Sequence, residues 1–98
     1  MKRSSVALSA TSYRILRHLH PDIKRSIRKA LDDLSKDPFS GKPLKRELAG
    51  LWSLPVSRHR IIYQMQNNAI TVVFIGPGRD VYERLRKLLT EKSGPKTR

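Results

Sequence analysis

The apolar positions of this chain change period along its length, and the changes mark out its elements. Ile23, Ile27, Ala30, Leu31 and Leu34 fall on one stripe, which predicts an amphipathic helix. Pro21 suits the first turn of that helix. Asp37-Pro38 ends it, because proline disfavours helical backbone in the residue before it. The opposite face carries Lys24, Arg25, Arg28, Lys29, Asp32 and Asp33. Arg28–Asp32 and Lys29–Asp33 are spaced to pair across one turn, and the face is expected to be solvated. Upstream, Ser4 to Leu8 reads as a short strand. Ser9-Ala10-Thr11-Ser12 offers helix N-caps, and Tyr13, Leu16 and Leu19 predict a short helix after them.

Downstream of Pro38 the period shortens. Leu51 to Val56 alternates, so Trp52, Leu54 and Val56 are expected to face the core and Ser53 and Pro55 to face out. Pro55 lacks an N–H and belongs at an edge or a bulge. Arg60 to Gln66 reads as a second strand. Asn67-Asn68 suits a hairpin turn, since Asn tolerates positive φ. Ala69 to Ile75 is apolar on both faces and therefore predicted to be central. Gly76-Pro77-Gly78 ends it, and Val81, Leu85, Leu88 and Leu89 predict a terminal helix from near Asp80. The resulting order is a strand, two helices, an antiparallel meander and a helix. It predicts an α+β fold with the helices on one face of a small antiparallel sheet and the other face open. Residues 1–92 are expected to form a single domain, with 93–98 as a basic flexible tail.

Charge narrows the partners. Lys and Arg number 21 against 8 Asp and Glu, a formal net charge of +13 in 98 residues. A field of that sign attracts nucleic acid, an anionic membrane or an acidic protein. Cysteine is absent, which removes disulfides and thiolate metal sites and fits a reducing cytoplasm. No apolar run approaches the ~20 residues that span a bilayer. Met1 to Ser5 is basic, but Val6-Ala7-Leu8 is too short for the core of a signal peptide.

The candidate chemistry gathers around the meander. Lys42, Lys45 and Arg46 precede it, Arg58, His59 and Arg60 sit at its first bend, and Arg79 and Tyr82 follow its last strand. Paired guanidinium donors would bind a phosphodiester and stabilise charge developing on it. His59 or Tyr82 could move a proton to or from a ribose hydroxyl or a leaving oxygen. Gly76-Pro77-Gly78 lacks the spacing and the lysine of a phosphate loop. His18, His20 and His59 do not match metal-ligand spacing, so no metal and no cofactor are expected. These residues fit a ribonuclease, a binding module, or a surface that only confers solubility.

Three stretches carry a resemblance. Asp37-Pro38-Phe39-Ser40-Gly41-Lys42-Pro43-Leu44, Leu48-Ala49-Gly50-Leu51-Trp52-Ser53-Leu54 and Arg58-His59-Arg60-Ile61-Ile62-Tyr63 resemble the RelE/ParE toxin superfamily. Gly78-Arg79-Asp80-Val81-Tyr82 resembles its closing element. The resemblance implies two helices packed on a small antiparallel sheet and a cognate antitoxin that neutralises the toxin. It also implies operator DNA bound by the pair through the antitoxin. For RelE members it implies cleavage of messenger RNA on the ribosome by attack of the 2′-hydroxyl, without a metal. By the same resemblance Arg60 and Arg79 would hold the phosphate, and Tyr82 or His59 would assist proton transfer. Lys42, Lys45, Arg46 and Arg58 would contact RNA or the ribosome. RelE enzymes often place Lys or Arg where this chain has Ser53 and Pro55. ParE members share the fold but poison DNA gyrase, so a gyrase inhibitor without nuclease activity and a degenerate binding protein are the alternatives.

Overall fold

The computed structural model describes residues 4–93, with side chains through residue 90. Its elements run β1 (Ser5–Leu8), α1 (Ala10–Arg17), α2 (Pro21–Lys36), β2 (Lys42–Pro43), β3 (Trp52–Val56), β4 (His59–Gln66), β5 (Ala69–Pro77) and α3 (Val81–Ser93). Short 3₁₀ turns at Pro38–Ser40 and Arg46–Leu48 flank β2. The predicted tail 93–98 lies outside the described residues, apart from Ser93 at the end of α3. Among the described residues no helix is long and apolar enough to cross a membrane.

Local chemistry sets the helix ends. The Ser9 hydroxyl caps α1 by accepting from the Ser12 N–H at 3.1 Å. His20 caps α2 through Nδ1, which accepts from the Asp22 N–H at 3.1 Å, and Pro21 occupies the first turn. At the far end the Asp37 N–H reaches back to the carbonyls of Asp33 and Leu34, and its carboxylate accepts from the Phe39 N–H at 3.2 Å. The N–H groups at these helix starts, which have no partner inside their own helix, are thus partly satisfied by side chains.

The strands form one sheet in the order β1-β5-β4-β3-β2. β5 is interior, as its two apolar faces require. The sheet is mixed: β1 runs parallel to β5, with Ser5 opposite Ala69 and Leu8 opposite Val72, while all the other pairs are antiparallel. The parallel pair follows from connectivity, because α1 and α2 lie between β1 and the meander. A register shift at Ile62/Tyr63 leaves Val73 as the extra residue of a bulge. The bulge puts Val73 and Phe74, neighbours in sequence, on the same side of the sheet.

Both faces are covered, which corrects the expected open face. α1 and α2 pack on one side over Leu16, Ile27, Leu34, Ile61, Tyr63 and Val72. α3 closes the other side with Leu48, Leu51, Ile62, Phe74, Val81 and Leu85. Trp52, Leu54 and Val56 do lean on the first core but remain only partly buried. Ser53 points to the second side, as alternation requires, and yet is 2% exposed. Tyr82 of α3 covers Ser53, while Pro55 on the same side stays exposed, and a period of two cannot reveal that local roof.

Candidate functional site

The β3–β4 turn and the segment after β5 meet at one end of the sheet. Pairing of Pro55 with Arg60, and of Arg60 with Gly76, brings the chain ends of three strands side by side. The Gly78 N–H donates to the Arg58 carbonyl at 2.8 Å and fastens the two loops together. Between them lies a cleft of about 560 Å³ lined by Ser57, Arg58, His59, Arg60, Gly78 and Arg79, with Pro55 and Pro77 at its walls. No acidic side chain lines it among the described residues. Asp80, next to Arg79, is engaged with Arg84 at 3.4 Å.

Three guanidinium groups around one cleft repel one another unless an anion joins them. Their planar, multidentate donors match a phosphate group. His59 adds an imidazole that can carry a proton. Two backbone features hold this arrangement. Ser57 turns the chain at φ 59, a left-handed conformation that costs a non-glycine residue about 1–2 kcal/mol. At Gly78 a Cβ would stand 3.1 Å from the Arg60 Nε, so the missing side chain lets the Arg60 side chain pass.

Of the residues proposed from sequence, Arg58, His59, Arg60 and Arg79 converge here. Tyr82 does not line the cleft. Its hydroxyl donates to the Ser53 Oγ at 3.0 Å, which ties the first turn of α3 to β3. Lys42 sits on β2 opposite Ser53, and Lys45 and Arg46 lie at the following 3₁₀ turn, where Arg46 has φ 60. All three are exposed, and none lines the cleft. Sequence reasoning missed Ser57 and the Ser53–Tyr82 hydrogen bond. Gly78 was legible only as a strand terminator.

A second tyrosine builds the scaffold under the site. Tyr63 is fully buried; its hydroxyl donates to the Pro38 carbonyl at 2.8 Å and accepts from the Gly41 N–H at 3.1 Å. Burial pushes its ionisation above the ordinary tyrosine range, against a smaller opposing effect of the Gly41 hydrogen bond. Trp52 stacks on Tyr63 with ring centroids 6.3 Å apart and meets the edge of exposed Phe39 at 5.6 Å. At Gly41 a Cβ would collide with the Tyr63 hydroxyl and the Ser53 carbonyl. The Asp37–Leu44 stretch is therefore a strap buckled to β4 through Tyr63.

Comparison with known proteins places the chain and its fold in one class. The family model for the ParE toxin of type II toxin–antitoxin systems matches residues 9–82. Toxin RelG of Mycobacterium tuberculosis is 36% identical over 84 residues, covering 82% of this chain and 97% of RelG. In the solved RelBE2 toxin–antitoxin complex of M. tuberculosis, a chain 31% identical superposes with a TM-score of 0.73, covering 79% of this chain and 93% of that one. An arginine-to-alanine double variant of Escherichia coli toxin RelE in the free state has the same fold at 18% identity, TM-score 0.69, covering 89% and 98%. The chain belongs to the RelE/ParE family and is the toxin of a type II toxin–antitoxin system.

Proposed function

We propose that this toxin is a ribosome-dependent endoribonuclease that cuts messenger RNA in the cytoplasm and is neutralised by a cognate antitoxin. The observation that carries the reading is the convergence of Arg58, His59, Arg60 and Arg79 on one cleft free of acidic lining. In the proposed step the ribose 2′-oxygen attacks the adjacent phosphorus, and the bond to the 5′-oxygen of the next nucleotide breaks. The products are a 2′,3′-cyclic phosphate and a 5′-hydroxyl end. Arg60 and Arg79 hold the phosphate and stabilise the charge that grows on its free oxygens. His59 takes the 2′-proton or supplies one to the leaving oxygen. Tyr82, whose hydroxyl is occupied by Ser53, serves as a positioning residue for the turn that carries Arg79.

An antitoxin partner is supported by the relative solved as a toxin–antitoxin complex and by the net charge of +13, which favours an acidic segment. Operator DNA would be bound by the pair through the antitoxin. A second reading, gyrase inhibition without cleavage, is favoured by the ParE family match. It is also favoured by Ser53 and Pro55, which place no cation on β3 where RelE enzymes often have one.

Primer extension on message from a cell-free translation reaction separates the two. The nuclease reading expects cuts only in translated message, within codons at the ribosomal A site. Intact message from protein that still binds its antitoxin, together with inhibited gyrase, would replace it with the second reading.

A further inference from the structure

The charges on α2 are not treated alike. Arg25 pairs with Asp22 at 3.0 Å, Lys29 with Asp33 at 3.7 Å and Lys36 with Asp32 at 3.4 Å. Lys24 and Arg28, on the same helix, have no ion pair among the described residues, and neither do Arg14 and Arg17 on α1. α1 carries no acidic residue at all. These cations also cluster. The Lys24 Nζ donates to the Arg17 carbonyl at 3.2 Å, and Arg28 stands one turn further along α2 from Lys24. An imidazole N–H of His18 donates to the Arg14 carbonyl at 2.9 Å. Concentrating like charge this way costs stability unless a polyanion offsets it.

An aromatic ring is set into the same corner. Tyr13 is 56% exposed, and the Arg17 guanidinium lies over it, 5.9 Å from the ring centroid. The ring is held on a rigid base. Ser12, beside it, is fully buried and donates to the Val72 carbonyl at 3.0 Å, and Leu16 is in the core. An exposed ring backed by a guanidinium and flanked by unpaired cations is the arrangement that takes an unpaired base and its phosphates.

We propose that the α1–α2 corner is a second binding site, separate from the cleft, for a single-stranded RNA segment. Arg14, Arg17 and Lys24 take consecutive phosphates, and one base stacks on Tyr13. The site does not depend on the nuclease reading, because it would hold a strand that cannot be cut.

The test is binding of the full chain to a fluorescent 2′-O-methyl oligoadenylate, which has no free 2′-hydroxyl. Arg14→Ala/Arg17→Ala is expected to weaken binding about tenfold or more and to make the salt dependence shallower by about 1.4 in log–log slope, two phosphate contacts' worth. Lys29→Ala/Lys36→Ala removes the same charge from the compensated part of α2 and is expected to leave the affinity nearly unchanged. Tyr13→Ala is expected to lose about fivefold or more, while Tyr13→Phe keeps its stacking and its affinity. All these side chains are exposed, so none of the variants is expected to melt appreciably below the wild type. Equal losses in the two double variants would overturn the proposal in favour of general charge. Unchanged oligoadenylate binding with weakened poly-glutamate binding would reassign the corner to an acidic protein.

Discussion

On the α1–α2 side of the sheet, Ile27, Leu34, Ile61, Tyr63 and Val72 have no exposed surface and Leu16 keeps 5%, whereas on the α3 side Ile62 and Val81 have none but Leu51 and Phe74 keep 9% and 8%. Two helices cover the first side and one covers the second. Ile61 of the first core adjoins Arg60 along β4 but faces the opposite side of the sheet. The second core is continuous with the cleft: Arg60 lies two residues along β4 from Ile62, and Arg79 and Tyr82 bracket Val81, which is itself fully buried. One side is scaffold, and the other is scaffold that also aims arginines. Mutations on the two sides should therefore separate stability from activity.

The largest effects test that difference. Leu34→Ala is expected to cost about 4 kcal/mol and Leu85→Ala about 2–3 kcal/mol, because the thinner second core relaxes more readily around a cavity. Denaturant unfolding measures both. Per folded molecule, Leu34→Ala keeps its activity, while Leu85→Ala loses more activity than its stability predicts. The opposite order would erase the distinction between the faces. Next comes the strap. Gly41→Ala is expected to cost about 1–3 kcal/mol by overpacking against Tyr63 and the backbone of Ser53.

Tyr63→Phe follows, at about 1–3 kcal/mol, because it leaves both the Pro38 carbonyl and the Gly41 N–H without that partner. It also carries a pH signature. Folding raises the ionisation of Tyr63 above its ordinary value of 10.0. Its stabilisation is full below that value and is lost as pH rises through the folded one. Alkaline melting curves should show a steeper loss for the wild type than for Tyr63→Phe. The smallest effect is at the surface. Glu47 ionises below its ordinary value of 4.5, first through its own backbone N–H and then through Arg86, whose Nε lies 2.7 Å away. Both side chains are exposed, and solvent and salt screen such a pair. Arg86→Ala is expected to leave the melting temperature unchanged near neutral pH. The Glu47 contribution itself is lost only as pH falls through its lowered value.

Much of this comparison was legible before the fold. The stripe from Ile23 to Leu34 and the doubly apolar β5 were readable because burial imprints a period on the sequence. Asn67, whose side chain suits a hairpin turn, has φ 59 there. The second core was legible in its parts, Val81 and Leu85 marking α3 and β5 being apolar on both faces, but not in its assembly. Ser53, Leu51 and Leu48 are short or irregularly spaced, and the roof over them comes from a helix about thirty residues downstream, too far apart in sequence for any local pattern to register. The cleft was half legible. Arg58, His59, Arg60 and Arg79 could be gathered from their positions at strand ends. Tyr82, Lys42, Lys45 and Arg46 were drawn to the same place by sequence proximity and family likeness, and the register of β2 on β3 sends the last three elsewhere.

The central claim is that the cleft arginines act on RNA. It is tested most directly by Arg60→Ala and Arg79→Ala in the cell-free translation reaction, with cut sites mapped by primer extension and antitoxin binding measured in parallel. The account predicts that each variant melts like the wild type, binds antitoxin and leaves the message intact. Cleavage at the wild-type level in both variants would contradict it.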